Sequence, residues 1–217
     1  MTVGICFHGI GTCTREREDG ESRYWMTTEV FHRVLDAVAE APDVALSFDD
    51  GNRSDVELAL PALRERGLRA TFFVLAGRLE DPASLGAADL RDLRAAGMRI
   101  GNHGWTHTPW RGLSETDARR ELHDARTALA EASGAEIADA ALPLGRYDRK
   151  TLRRLHARGY HAVYTSDRFP FSDRSWLRAR YSVTAMDTAA SVARHAHGRP
   201  GLSELRNLAA STVKRMR

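Results

Sequence analysis

Seven short apolar, β-prone runs recur along this chain, and stretches with helical spacing lie between them. The runs are Val3–His8, Val44–Phe48, Ala70–Leu75, Met98–Gly101, Ile137–Leu142, His161–Thr165 and Arg180–Thr184. A helical crossover returns the chain to the same end of a sheet, so strands joined this way pair in parallel. The spacing predicts an α/β chain whose strands close into a parallel barrel. Any active site would then be built by the loops that follow the strand C-termini. No internal repeat, low-complexity linker or break in composition divides residues 1–217, which read as a single domain.

The intervening segments carry helix punctuation. Thr28 can cap a helix that presents Phe31, Leu35 and Val38 on one face. Ser114 and Asp117 form a short capping box. The helix they open stripes Leu122, Ala125, Leu129 and Ala132 and stops at Gly134. Gly67, Gly97 and Gly159 each follow a helical pattern, and Asp148 suits the cap of a helix burying Leu152 and Leu155. The polar stretch from Gly11 to Met26 is either a loop over the barrel mouth or partly disordered.

Charge excludes some function classes. With 32 basic and 29 acidic residues the formal charge is only +3, and no Lys/Arg stripe interleaves with aromatics, so no nucleic-acid partner is expected. Lys214-Arg215-Met216-Arg217 reads as a solvated helix end. Cys6 and Cys13 fit neither a disulfide framework nor a structural zinc site. No basic-then-apolar leader opens the chain and no apolar run reaches the ~18 residues of a transmembrane helix, so a cytoplasmic location is expected.

Two strand ends carry chemistry. Val44, Leu46 and Phe48 alternate as strand residues do, and Asp49-Asp50-Gly51 follows. Adjacent carboxylates on an extended chain point to opposite sides, so one can bind a metal while its neighbour faces a substrate. The Asp-Gly pair also suits a plain turn. The second segment is Gly101-Asn102-His103-Gly104-Trp105-Thr106-His107. Histidines four apart converge on one ion if the backbone curls into a helical turn. Asp50, His103 and His107 together offer two imidazoles and a carboxylate, which leaves coordination positions for water and suits a catalytic metal site.

Ser47–Gly51 resembles the Thr-Phe-Asp-Asp-Gly motif of the polysaccharide deacetylase (NodB-homology) family, carbohydrate esterase family four. Ala70-Thr71-Phe72-Phe73-Val74 is similar to the family's next barrel strand and His103–His107 to its second motif. The order is the family's, over roughly Val44 to Asp167. The resemblance implies a distorted, TIM-barrel-like (β/α)7 fold and a divalent metal, foremost zinc, with cobalt or another divalent ion as alternatives. It makes Asp49 the general base and Asp50, His103 and His107 the metal ligands. The implied reaction removes an acetyl group from an N-acetylated sugar or glycoside with metal-activated water. A hydrolase of another small amide or imide, or a metal- or glycan-binding relative without turnover, are the alternatives.

Three motifs depart from the family pattern. Ala141-Leu142-Pro143-Leu144-Gly145 matches Arg-x-Pro-x-Gly only at Pro143 and Gly145. The Leu144 N–H can still face an oxyanion. Ala141 stands where the family has the arginine that steadies the base, and Arg146 is the nearest substitute. Asp167 falls where the fourth motif lies and either orients a group at the site or caps a turn. No Leu-x-His motif supplies the acid, because His195 and His197 read as an exposed helix end. His8, ending the first strand, is the candidate that barrel logic puts on the metal's face, as an acid or a ligand for a sugar hydroxyl. Among Trp105, Trp110, Tyr24 and Trp25, Trp105 is expected to stack on the sugar.

Overall fold

A computed structural model describes residues 1–41, 43–197 and 201–216. Its strands are β1 Val3–Phe7, β2 Val44–Asp50, β3 Ala70–Val74, β4 Arg99–Asn102, β5 Asp139–Ala141, β6 Ala162–Thr165 and β7 Leu177–Ser182. They close in chain order into one all-parallel barrel with helices packed around it, as expected. The ring is uneven. β2 and β3 pair from Leu46–Ala70 to Asp50–Val74, whereas β4 and β5 share only Asn102–Ala140. β7 closes on β1 with Gly4 opposite Arg180 and Cys6 opposite Ser182.

Alternation decides which side chains line which face. Ile5, Phe7, Phe48 and Phe72 pack with Phe31, Leu35, Leu63 and Leu90 of the helices in the main apolar cluster. The Phe48 ring stacks on Phe7 and Phe72 at 5.1 and 4.7 Å. Each such ring, fully buried, contributes on the order of 1.5–3 kcal/mol. The opposite set includes Phe73 and Tyr164, and between them lies the guanidinium of Arg180, 5.1 and 5.6 Å from the two ring centroids. Gly4 makes room for that arginine: a Cβ there would come within 2.8 Å of Arg180 Cγ and of the Ala179 carbonyl.

β7 begins three residues before the expected Arg180, because its inward arginines broke the apolar pattern by which a strand is read. The first helix, Thr28–Ala39, is capped by Thr27 rather than Thr28: its Oγ1 accepts from the Val30 N–H at 3.3 Å. Ser114 and Asp148 cap as expected, accepting from Asp117 N–H at 3.1 Å and Thr151 N–H at 2.8 Å. Gly134 ends its helix in the left-handed region at φ 66°.

The Gly11–Met26 stretch is a strap over the barrel mouth. The Glu16 carboxylate accepts from Ser22, Arg17 pairs with Glu21 at 2.9 Å, and a short 3-10 helix spans Glu21–Tyr24. The basic C-terminal end is not simply solvated, since Lys214 pairs with Asp167 at 2.5 Å; Arg217 lies outside the described residues. Cys6 and Cys13 are free thiols. Among the described residues no helix is long and apolar enough to cross a membrane.

Candidate active site

The strand C-termini open into a cleft of about 660 Å³ that His8, Asp49, Asp50, His103 and His107 all line. Asp49 is the last inward residue of β2. Strict alternation would turn Asp50 away, but Asp50 takes a left-handed φ of 76° and Gly51 follows at 67°. The turn re-aims the second carboxylate, so both aspartates face His103, whose Nε2 lies 3.9 Å from Asp49 Oδ2 and 3.4 Å from Asp50 Oδ1.

The two histidines converge, though not through a helical turn. After β4 the chain bends at Gly104 (φ 96°) and again at His107 (φ 61°). The buried carboxylate of Glu121 holds the bend by accepting from the Trp105 N–H at 2.7 Å, the Thr106 N–H at 3.2 Å and the Thr106 hydroxyl at 2.7 Å. Each imidazole is then oriented through its outer nitrogen. His103 Nδ1 donates to the Ala141 carbonyl at 3.0 Å, and His107 Nδ1 to Glu18 Oε2 at 2.5 Å. Arg78 holds the other oxygen of Glu18, also at 2.5 Å. Both Nε2 atoms are left 3.4 Å from Asp50 Oδ1.

That oxygen is buried and accepts no well-aligned hydrogen bond among the described residues. The three donor atoms lie within 4.8 Å of one another. An orphaned anionic oxygen between two imidazole nitrogens, each fixed from behind by a carbonyl or carboxylate, is the environment of a metal-ligating histidine pair. These residues fit a divalent cation.

Electrostatics agree. Burial would raise the Asp50 pKa, but His103 and His107 hold its carboxyl far below the usual range. Burial opposes charge on His103, yet Asp49 and Asp50 lift its pKa above the ordinary value. Asp55, fully buried nearby, goes the other way. Desolvation, with Asp50 and Asp49 adding, pushes its carboxyl well above the usual carboxylate range.

Asp49 is gripped by Arg180, not by Arg146. The guanidinium donates to Oδ1 at 2.6 Å and Oδ2 at 2.7 Å, and to Ser47 Oγ at 2.9 Å. Both partners are buried. Burial would raise the Asp49 pKa, but Arg180, with His103, brings it below the usual value. Ala141 leaves the third-motif position without a charge, and β7 supplies one from the other side of the ring. Arg146 is exposed on the cleft rim.

The remaining candidates divide. His8 lines the cleft, stacked on Tyr24 with ring centroids 4.8 Å apart, and burial, against the pull of Asp50 and Asp49, lowers its pKa. Leu144 sits on the rim at φ 55°. Trp105 does not line the cleft: it packs on Gly77, where a Cβ would lie 2.4 Å from its carbonyl oxygen, and under Arg120. Asp167 is drawn instead into a structural tie, accepting from the Tyr147 hydroxyl at 2.6 Å and Thr165 Oγ1 at 3.0 Å besides Lys214. Trp110 is core, and His195 packs on Tyr181 at 3.9 Å, away from the cleft lining. Tyr24 is the aromatic that faces the cleft. Glu18, Glu121 and Arg180 had no motif of their own in the sequence; only an inward-facing arginine inside a β-prone run marked Arg180.

Among the described residues the non-glycine positions at positive φ are Asp50, His107, Leu144 and Arg168, and all four line this one cleft. Left-handed backbone costs such residues about 1–3 kcal/mol each, and strain gathered in one place marks a functional site.

A closed parallel barrel with paired carboxylates facing two convergent histidines at its C-terminal mouth leaves a place for one divalent cation. The chain belongs to the polysaccharide deacetylase family, whose model matches residues 36–163. It is 29% identical over 154 residues to a chitooligosaccharide deacetylase of Sinorhizobium fredii, covering 70% of this chain and 68% of that protein. It is 34% identical over 93 residues to the peptidoglycan-N-acetylmuramic acid deacetylase PdaC of Bacillus subtilis, covering 42% of this chain and 19% of PdaC. A second Bacillus subtilis relative, YxkH, is 24% identical over 124 residues, covering 57% of this chain and 44% of YxkH. The matches thus span less than half the length of these two relatives. The fold superposes on the Streptococcus pyogenes deacetylase PplD, solved in complex with acetate, with TM-score 0.78 and 18% identity over 92% of this chain and 98% of PplD.

Proposed function

We propose that this chain is a metal-dependent hydrolase that removes the acetyl group from an N-acetylated sugar or glycoside. The observation that carries the reading is the buried, unpartnered Asp50 Oδ1 set between His103 Nε2 and His107 Nε2, beside a second aspartate clamped by arginine. A divalent cation held by Asp50, His103 and His107, zinc foremost, would lower the pKa of water toward about 7 and polarise the acetyl carbonyl.

The chain's own groups supply the rest. Asp49, kept ionised by Arg180, takes the proton of the attacking water. The Leu144 N–H, held at the rim by its left-handed turn, donates to the oxygen that gains charge. His8 has a ring nitrogen within 4.8 Å of an Asp49 oxygen and rests neutral, because burial lowers its pKa. It can therefore receive the proton from Asp49 and deliver it to the departing nitrogen.

Elemental analysis of the purified protein tests the reading first. About one zinc or similar ion per chain is expected, and it should be lost in the His103→Ala, His107→Ala double variant. Acetate release from N-acetylated sugars should follow metal content. Wild-type protein that stays metal-free after reconstitution would overturn the proposal. A finer prediction concerns Glu18, which fixes the tautomer of His107 from the strap. Glu18→Ala should weaken metal affinity about 10–100-fold, read by competition with a chromophoric chelator, while leaving the fold intact.

A further inference from the structure

The loops after β5 and β6 touch at the cleft. Gly145 lies against Ser166, so closely that a Cβ on Gly145 would sit 2.1 Å from Ser166 Oγ. Arg146 and Arg168 flank this contact, and both side chains are exposed on the cleft wall. The other charged groups of the cleft are largely committed. Arg180 is bound to Asp49, Arg78 to Glu18, and Glu21 to Arg17. Arg146 and Arg168 have no carboxylate within ion-pair distance among the described residues.

Arg168 is also held in place at a cost. It takes a left-handed φ of 59°, its N–H donates to the Arg180 carbonyl at 3.2 Å, and its guanidinium lies 5.2 Å from the centroid of the Tyr181 ring. A residue that any solvated surface loop could place without strain is instead held at the cleft wall, its head group resting on Tyr181. The strap after β1, three strands round the ring from β5, brings Asp19 to the same cleft. Arg23 of the strap lines the cleft too, with no carboxylate within ion-pair distance among the described residues, so the mouth carries free positive charge on the β5–β6 side and charges of both signs on the strap side.

Resting on the proposed deacetylase reading, we propose that the substrate is an N-acetylated sugar bearing an oxyanion, with a phosphate as the best match, and that Arg146 and Arg168 bind that group. Two guanidinium forks match a doubly charged phosphate in charge and in hydrogen-bond geometry. The anion then sets which end of the sugar reaches Asp49 and Leu144, the latter two residues before Arg146 in the turn after β5.

Isothermal titration calorimetry on the metal-loaded protein tests this with three probes: N-acetylglucosamine 1-phosphate, N-acetylmuramic acid as the carboxylate, and neutral N-acetylglucosamine. The phosphate should bind at least about tenfold tighter than the neutral sugar. Its preference should shrink with added salt and fall about tenfold in Arg146→Gln and in Arg168→Gln. Stronger binding of the muramic acid than of the phosphate would assign the pair to a carboxylate. Equal affinity for all three probes, or loss of affinity for all three alike in the variants, would overturn the inference. Acetate release measured on the same probes separates the two claims. Release without anion preference sinks the anion site alone, whereas anion-selective binding with no release from any probe sinks the deacetylase reading alone.

Discussion

Asp49→Asn should keep its metal and lose most of its turnover, by about 10²–10⁴-fold, the usual contribution of a positioned acid–base group. The side chain that would abstract the proton is held in one geometry by Arg180, and the amide keeps nearly the same shape without the basic oxygen. Asp50→Ala should behave differently, losing both metal and activity, because Asp50 Oδ1 is the anionic oxygen between the two imidazoles. Metal content and acetate release measured side by side separate the two aspartates. Near-normal activity in Asp49→Asn would remove it as the base.

Arg180→Ala should damage both folding and chemistry. Removing one partner of a buried ion pair leaves a buried uncompensated charge, at a cost of about 3–5 kcal/mol. Denaturant midpoints report that loss. Arg180 is also the main reason the Asp49 pKa lies below the usual range despite burial, so its removal should raise that pKa. The acid limb of the kcat/KM profile would then move to higher pH, a shift that destabilisation alone does not produce. Arg180→Lys, which keeps the charge and loses the fork, should recover part of the stability and return the limb toward lower pH. The sign for stability follows from the same depression. The ion pair contributes above the unfolded carboxyl pKa and is lost as pH falls through the lower, folded value. An unmoved pH profile in a folded Arg180 variant would assign the arginine to packing alone.

The barrel was legible in the chain because its periodicities are local. Period-two apolar runs, capped helices and left-handed glycine stops are properties of a few adjacent residues, and they locate all seven strands. The exceptions are instructive. β7 is read late because two arginines sit on a strand that faces polar groups inside, and the first cap is displaced by one between two adjacent threonines. Asp49, Asp50, His103 and His107 were visible for the same reason, as motifs carried on contiguous segments.

What surrounds them was not visible. Asp49 and Arg180 are 131 residues apart, and His107 and Glu18 are 89 apart. Ring closure of β7 on β1 brings Arg180 beneath Asp49, and the strap carries Glu18 to the histidine. Arg146 was the natural substitute by proximity in sequence, but the β5 turn points it to the rim. Trp105 and Asp167 sit in or beside motifs and yet are consumed by packing and by the tie to the C-terminal helix. The sequence by itself determined the elements, their order and the groups at the strand ends, because short-range sterics and burial patterns set these. Only the tertiary structure decided which charges meet. A buried charge is stabilised by whichever partner the closed ring brings within about 3 Å, and no local pattern records that choice.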